Sequence, residues 1–134
     1  MIERWDRFFL KIAEQCAAMS KDPSTRVGAV VASGKELVSM GYNGFPPRIA
    51  DDVRLKVRTL KYQLTIHAEM NAILRAGGHA AGCTLYTWPL LPCSECAKHV
   101  VAAGIRRVVA VQPYSDGHRW EESITLAMRS EERR

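Results

Sequence analysis

Four residues in two short stretches have the side chains and spacing to hold and use a metal ion. They are His67 and Glu69 in Thr65-Ile66-His67-Ala68-Glu69-Met70-Asn71, and Cys93 and Cys96 in Leu91-Pro92-Cys93-Ser94-Glu95-Cys96. Imidazole nitrogen and thiolate sulfur are both good zinc donors, and a catalytic zinc keeps its fourth position open for water. His67, Cys93 and Cys96 would supply three ligands and leave that position free. Residues three apart share a helix face, so both thiols can point at one ion. Each pair opens a predicted helix, where free N–H groups and the helix dipole favour thiolate over thiol. Glu69 stands two residues beyond His67, roughly 200° further around an ideal helix. That separation suits a proton shuttle better than a fourth ligand, moving a proton from metal-activated water to a substrate nitrogen and its leaving group.

A purely structural zinc site is normally closed by a fourth Cys or His. The remaining candidates, Cys16, Cys83, His79, His99 and His118, have no partner at matching spacing. Cys16, on the apolar face of a predicted helix, and Cys83, at a strand entrance, read as core residues. Trp88, just ahead of the cysteine motif, either walls a substrate pocket or fills the core.

The elements that must position these groups can be read from periodicity. Trp5, Phe8, Phe9, Ile12 and Cys16 recur at helical spacing, and Lys21-Asp22-Pro23-Ser24 ends that helix. Val27–Val31 and Glu36–Tyr42 read as two strands joined by a turn at Ser33-Gly34-Lys35. Gly41-Tyr42-Asn43-Gly44-Phe45-Pro46-Pro47 has loop composition, and 51–64 is polar without a clear period. Helices are expected over Ala68–Ala76, Cys93–Ala103 and Trp120–Met128, and strands over Leu85–Trp88 and Val108–Val111. Strands alternating with helices predict an α/β fold, with helices on both faces of a mostly parallel sheet and the first hairpin as an antiparallel edge.

With 134 residues and 47% hydrophobic content, the chain suits a single domain over 1–134. The first twenty residues carry charges throughout, so neither a signal peptide nor a membrane span is expected there. A cytoplasmic location follows as the expectation, with the four cysteines as ligands or core residues rather than disulfides. The net charge of +5 is spread along the chain without a dense basic run, which argues against a nucleic-acid partner.

His67-Ala68-Glu69 together with Pro92-Cys93-Ser94-Glu95-Cys96 matches the H-x-E and P-C-x-x-C signature of zinc deaminases. The likeness extends to Ser20-Lys21-Asp22-Pro23-Ser24, Val27-Gly28-Ala29, Gly41-Tyr42-Asn43-Gly44-Phe45-Pro46, Asp51-Asp52, Asn71-Ala72-Ile73, Ala97-Lys98 and Ala103-Gly104-Ile105. On these segments the chain resembles the deoxycytidylate (dCMP) deaminase family of the cytidine deaminase superfamily. The resemblance implies a three-layer α/β/α sandwich with a mixed sheet, one Zn2+ per chain, and conversion of dCMP to dUMP. It also implies a homo-oligomer, hexamer or dimer, with dCTP and dTTP as effectors. Asn43 would hold the sugar or phosphate, with a turn residue beside Gly44 as the alternative. Ser24 and Arg26 would cradle the 5′-phosphate, with a solvated surface position open for Arg26. The backbone at Ala68 would contact the base, and Tyr114 would border it or pack in the core. Asn43, Gly44, Asp51 and Asp52 fall where effector nucleotides bind in the family.

Two stretches depart from the pattern. Pro47-Arg48-Ile49 replaces a glycine-containing stretch, which weakens the expectation of effector control. After Met128 the chain becomes Arg129-Ser130-Glu131-Glu132-Arg133-Arg134, so a further C-terminal strand is expected to be missing. Between Asp52 and His67 there is no Cys/His insertion of the kind that holds a second zinc in some relatives. Three alternatives stay open: a related deaminase of a 5-substituted dCMP, of a free cytosine nucleoside or of an RNA base. A non-catalytic nucleotide-binding regulator is a fourth, against which the presence of Glu69 argues.

Overall fold

The computed structural model describes residues 4–46 and 56–112. Along the chain run α1 (Arg4–Ala18), β1 (Gly28–Ser33), β2 (Glu36–Tyr42), α2 (Arg58–Leu64), α3 (Ala68–Ala76), β3 (Thr84–Leu90), α4 (Ser94–Ala102) and β4 (Arg107–Gln112). The four strands form one sheet in the order β2-β1-β3-β4. The β1–β2 hairpin is antiparallel, as its turn implies, and Gly34 at φ 60° provides the left-handed residue that closes it. The sheet is mixed, as expected, but it is not mostly parallel among the described residues. β1 also pairs antiparallel with β3, and β3–β4 is the parallel pair. Periodicity identifies strands but carries no information on their direction, which is set by the long crossover between β2 and β3. The expected helix over Trp120–Met128 and the tail after it lie outside the described residues.

Alternation along each strand builds two cores. One face packs Phe9, Leu10, Ala13 and Cys16 of α1 against Val30, Ala32, Tyr86 and Val109. The other packs Ala68, Ala72, Ile73 and Ala76 of α3, with Val100 of α4, against Ala29, Val31 and Leu85. Helices therefore cover both sheet faces, giving the three layers expected. Cys16 belongs to the first core and Cys83 to the second, in agreement with their sequence reading. Trp88 packs against the first core and does not line the cleft described below. On the same side Asp6 is buried, accepting from Tyr86 Oη (2.7 Å) and from both terminal nitrogens of Arg107 (2.9 and 2.7 Å). That network ties the start of α1 to β3 and β4.

Two glycines let helices lie directly on strands. A Cβ on Gly28 would stand 1.8 Å from the Ala13 carbonyl oxygen of α1. One on Gly41 would stand 2.7 Å from the Ala72 nitrogen and 2.9 Å from the Ala68 oxygen of α3. Side-chain bonds reinforce the second contact: Ser39 Oγ donates to the Ala72 carbonyl (2.6 Å) and Asn71 Nδ2 to the Tyr42 carbonyl (2.7 Å). Gly41 thus lies within β2, in the strand expected over Glu36–Tyr42, and it sets the height of the α3 N-terminus. A Gly41→Ala substitution is expected to push α3 off the sheet and cost about 1–3 kcal/mol. Chemical denaturation measures that loss, and wild-type stability in the variant would contradict the close approach.

Candidate active site

Two helices open toward each other at the edge of a cleft. α3 begins after His67, whose backbone is extended (φ −67°, ψ 153°), and α4 begins after Cys93, also extended (φ −74°, ψ 169°). His67 and Cys93 therefore precede their helices, while Glu69 and Cys96 sit within the first turns. This explains how His67 and Glu69 can share a site despite their divergence on an ideal helix: only one of them is helical. It also explains the cysteine spacing. Cys93 Sγ accepts the Cys96 backbone N–H (3.4 Å), as a capping side chain does, and this draws the two sulfurs together.

The donor atoms converge. His67 Nδ1 lies 3.3 Å from Cys93 Sγ and 3.3 Å from Cys96 Sγ, and the three ligand atoms all fall within 4.8 Å of one another. His67 is open to the cleft, Cys93 is half-buried and Cys96 is buried. Each sulfur changes the other's affinity for a proton. The hydrogen bond from Cys96, against the opposing effect of burial, brings Cys93 down to about 4, and the Cys93 hydrogen bond and burial push Cys96 far up. The pair gives up one proton readily and holds the second. The hydrogen bond with Cys93 outweighs burial and raises His67. A divalent cation relieves this crowding, because it allows both sulfurs to be thiolates beside a neutral imidazole. The chemistry of the donor set thus fits one zinc ion, with room for three protein ligands.

Glu69 is 4% exposed, and its carboxyl is not one of the three clustered donors. Burial pushes its pKa up, while His67 and the Cys96 thiol pull it down. A buried carboxyl next to a metal-binding cluster is well placed to gain and lose a proton.

The cleft has a volume of about 930 Å³. His67, Ala68, Glu69 and Cys93 line it together with Asp22, Ser24, Asn43, Lys56, Lys61 and Tyr62. Asn43, Ser24 and Ala68 are therefore on the cleft wall, as their sequence reading required. The Asn43 amide is also committed to the backbone, accepting from Val27 N–H (2.9 Å) and donating to the Thr25 carbonyl (2.8 Å). It pins the segment before β1 to the end of β2. Arg26 is exposed and is not among the residues lining the cleft. Gly44 bridges to Ile66 and is likewise absent from the lining. Tyr114, Asp51 and Asp52 lie outside the described residues.

The sequence reading missed Lys61. It lies on α2, in a stretch with no clear period, and only 8% of it is exposed. Its Nζ donates to Asp22 Oδ1 (3.3 Å) and Ser24 Oγ (3.3 Å). No local signal marks it, because its partners lie 39 and 37 positions away. Asp22 is itself buried, which would raise its pKa, but the N–H groups of Thr25 and Ser24, and Lys61, outweigh burial and hold it low. The sign of the pH effect follows from that depression. The stability Asp22 contributes is present above the ordinary aspartate pKa and is lost as pH falls through the lowered folded value. Asp22→Asn is expected to flatten the acid limb of thermal stability against pH, and an unchanged limb would contradict it.

The family described as the cytidine and deoxycytidylate deaminase zinc-binding region matches residues 3–112. The chain belongs to that family. The matched stretch contains every helix and strand among the described residues, and the His67, Cys93 and Cys96 cluster is the group in it that could hold the zinc. Among relatives, the "uncharacterized deaminase in luxG 3′ region" of Aliivibrio fischeri is 38% identical over 128 residues, covering 95% of this chain and 86% of that protein. The deoxycytidylate deaminase of Homo sapiens is 41% identical over 131 residues, covering 92% of this chain and 71% of that protein. The crystal structure of dCMP deaminase from the cyanophage S-TIM5, in complex with dCMP and dUMP, superposes with a TM-score of 0.77. It covers 95% of this chain and 94% of that one at 20% identity, a likeness of fold. The cytidine deaminase-like α/β/α arrangement implied by the sequence motifs is thus the observed one. No helix among the described residues is long and apolar enough to cross a membrane.

Proposed function

We propose that this protein hydrolyses dCMP to dUMP and ammonia in pyrimidine deoxynucleotide metabolism. The observation that carries the reading is the convergence of His67, Cys93, Cys96 and buried Glu69 at a cleft whose lining also offers Ser24, Asn43, Lys56 and Lys61 beside apolar residues such as Leu90 and Leu91. Deoxycytidylate deaminases at about 40% identity over most of the chain support the substrate.

When bound at His67, Cys93 and Cys96, zinc supplies the Lewis acidity that makes water a nucleophile near neutral pH. Glu69, in the wall of the same cleft, takes a proton from the attacking water as its oxygen bonds to C4 of the cytosine ring. Glu69 then delivers the proton to N3, takes the second proton from the hydroxyl now on C4, and passes it to the exocyclic amine as the C4–N bond breaks, leaving the C4 carbonyl and ammonia. The first-turn N–H at Ala68 lies at a helix start, without an intrahelical acceptor, and serves as a donor to the base. Asn43 and Ser24 border the sugar and phosphate. Tyr114 bordering the base, and effector contacts at Gly44, Asp51 and Asp52, belong to the same reading on sequence likeness alone. So do a homo-oligomer, control by dCTP and dTTP, and a cytoplasmic location.

The test is turnover by the zinc-loaded protein across a panel of dCMP, CMP, deoxycytidine and 5-substituted dCMP, read as loss of the cytosine chromophore. Preference for dCMP is expected. Turnover of deoxycytidine with none of dCMP would overturn the nucleotide reading, and binding without any turnover would favour a regulatory protein.

A further inference from the structure

We propose that Lys61 holds the phosphate end of the substrate, and that its buried pair with Asp22 aims it there. The proposal rests on the dCMP reading above and assigns its charge recognition to a lysine rather than to Arg26.

Lys61 lies on the helix six residues before His67 and lines the same cleft as His67 and Glu69. An ammonium has three N–H donors. Two are engaged by Asp22 Oδ1 and Ser24 Oγ, both at 3.3 Å, and the Tyr62 ring centroid is 5.7 Å from Nζ. No acceptor for the third donor is found among the described residues. Asp22, by contrast, is supplied without the lysine: the same Oδ1 accepts the backbone N–H of Ser24 (2.8 Å) and of Thr25 (3.0 Å). The pair is therefore asymmetric. Asp22 has backbone partners enough, whereas a buried ammonium needs an anion to be tolerated at all.

The same bonds exclude the alternative cradle. The N–H groups of Ser24 and Thr25 turn inward to Asp22, so this loop cannot present them to an anion. Arg26 is exposed and is not among the residues lining the cleft. Among the described residues, the lysines on the wall are Lys61, fixed by two bonds, and Lys56, which is exposed. A phosphate monoester provides the acceptor that the third Lys61 donor lacks, and its second negative charge is met by Lys56. Asp22 and Ser24 are then positioning residues that set the direction of the ammonium.

The experiment compares zinc-loaded wild type with Lys61→Met, Lys61→Arg and the double variant Asp22→Asn/Lys61→Met. The double variant removes the whole pair, so that no buried carboxylate is left facing a methionine. Thermal melting and zinc content establish that each is folded and metallated. Calorimetry then measures binding of dUMP and of deoxyuridine, alongside KM and kcat for dCMP. Loss of one charge-assisted hydrogen bond predicts about 10- to 100-fold weaker dUMP binding in Lys61→Met and the double variant. Deoxyuridine binding should hold, KM for dCMP should rise by the same factor with kcat little changed, and Lys61→Arg should recover part of the loss. A folded double variant that binds dUMP within about twofold of wild type overturns the proposal. So does equal loss of dUMP and deoxyuridine, which would make the pair a brace for the fold. Wild-type protein that fails to turn over dCMP overturns the underlying substrate reading, and is distinguished from both because it is observed before any substitution.

Discussion

A Glu69→Gln variant is expected to fold and to bind one zinc per chain, yet to turn dCMP over about 10²–10⁴-fold more slowly. Glutamine matches glutamate in shape and keeps an acceptor oxygen, so the helix start and the three-donor cluster beside it should be undisturbed. What it loses is the exchangeable proton. The side chain is 4% exposed, and burial already disfavours its charged form. Removing the charge should therefore leave stability unchanged or higher, and thermal melting of zinc-loaded protein reads this directly. Substrate binding should also survive, because the residues at the far end of the cleft are untouched. The informative result is a fallen kcat with dCMP affinity and zinc content maintained. A variant that kept near-wild-type kcat would remove Glu69 from the proton path, and one that lost zinc would make it a support of the metal site.

The parts of this site that could be read from sequence are those whose geometry is local. Cys93 and Cys96 are brought together by one helix turn, and His67 and Glu69 by the start of another, so motif and structure coincide there. The joining of the two motifs depends on the fold, yet the donor chemistry alone implies it, since two thiolates and an imidazole complete one zinc site. The Asp22–Lys61 pair is different in kind. It joins Asp22, in the loop after α1, to Lys61, 39 positions later and the one buried residue among those described on α2, so hydrophobic periodicity cannot reveal it. Arg26 illustrates the converse: proximity in sequence to Ser24 and Lys21 did not put it on the cleft wall. Gly41 falls in the strand expected over Glu36–Tyr42, but the reason for a glycine there is not local: its lack of a Cβ serves α3, some thirty residues later. The antiparallel β1–β3 pairing was equally invisible, because strand direction is decided by the crossover and not by the strand.

Zinc removal is expected to abolish activity and to lower thermal stability, both restored by one equivalent of zinc. The size of the stability change follows mass action: free zinc at about a thousand times its Kd stabilises the folded protein by roughly 4 kcal/mol. Cys96→Ser should lose zinc and should not be rescued, with kcat falling by at least about 10³-fold, because a hydroxyl is a far weaker zinc donor than a thiolate. Cys83→Ala is the matched control. That thiol is also buried, but it sits in the core and donates to the His79 carbonyl (3.1 Å), so its loss should affect stability and leave zinc content intact. The two sulfurs of the site also fix the direction of the pH effect. Cys93 is brought down to about 4, whereas Cys96 is pushed well above an ordinary thiol. The pair therefore keeps one proton that zinc must displace near neutral pH, and apparent zinc affinity should weaken steadily as pH falls. A chelator competition run across pH measures that slope. Zinc affinity independent of pH would mean that Cys93 and Cys96 do not both bind as thiolates, and zinc content unchanged in Cys96→Ser would remove Cys96 from the ligand set by a second route.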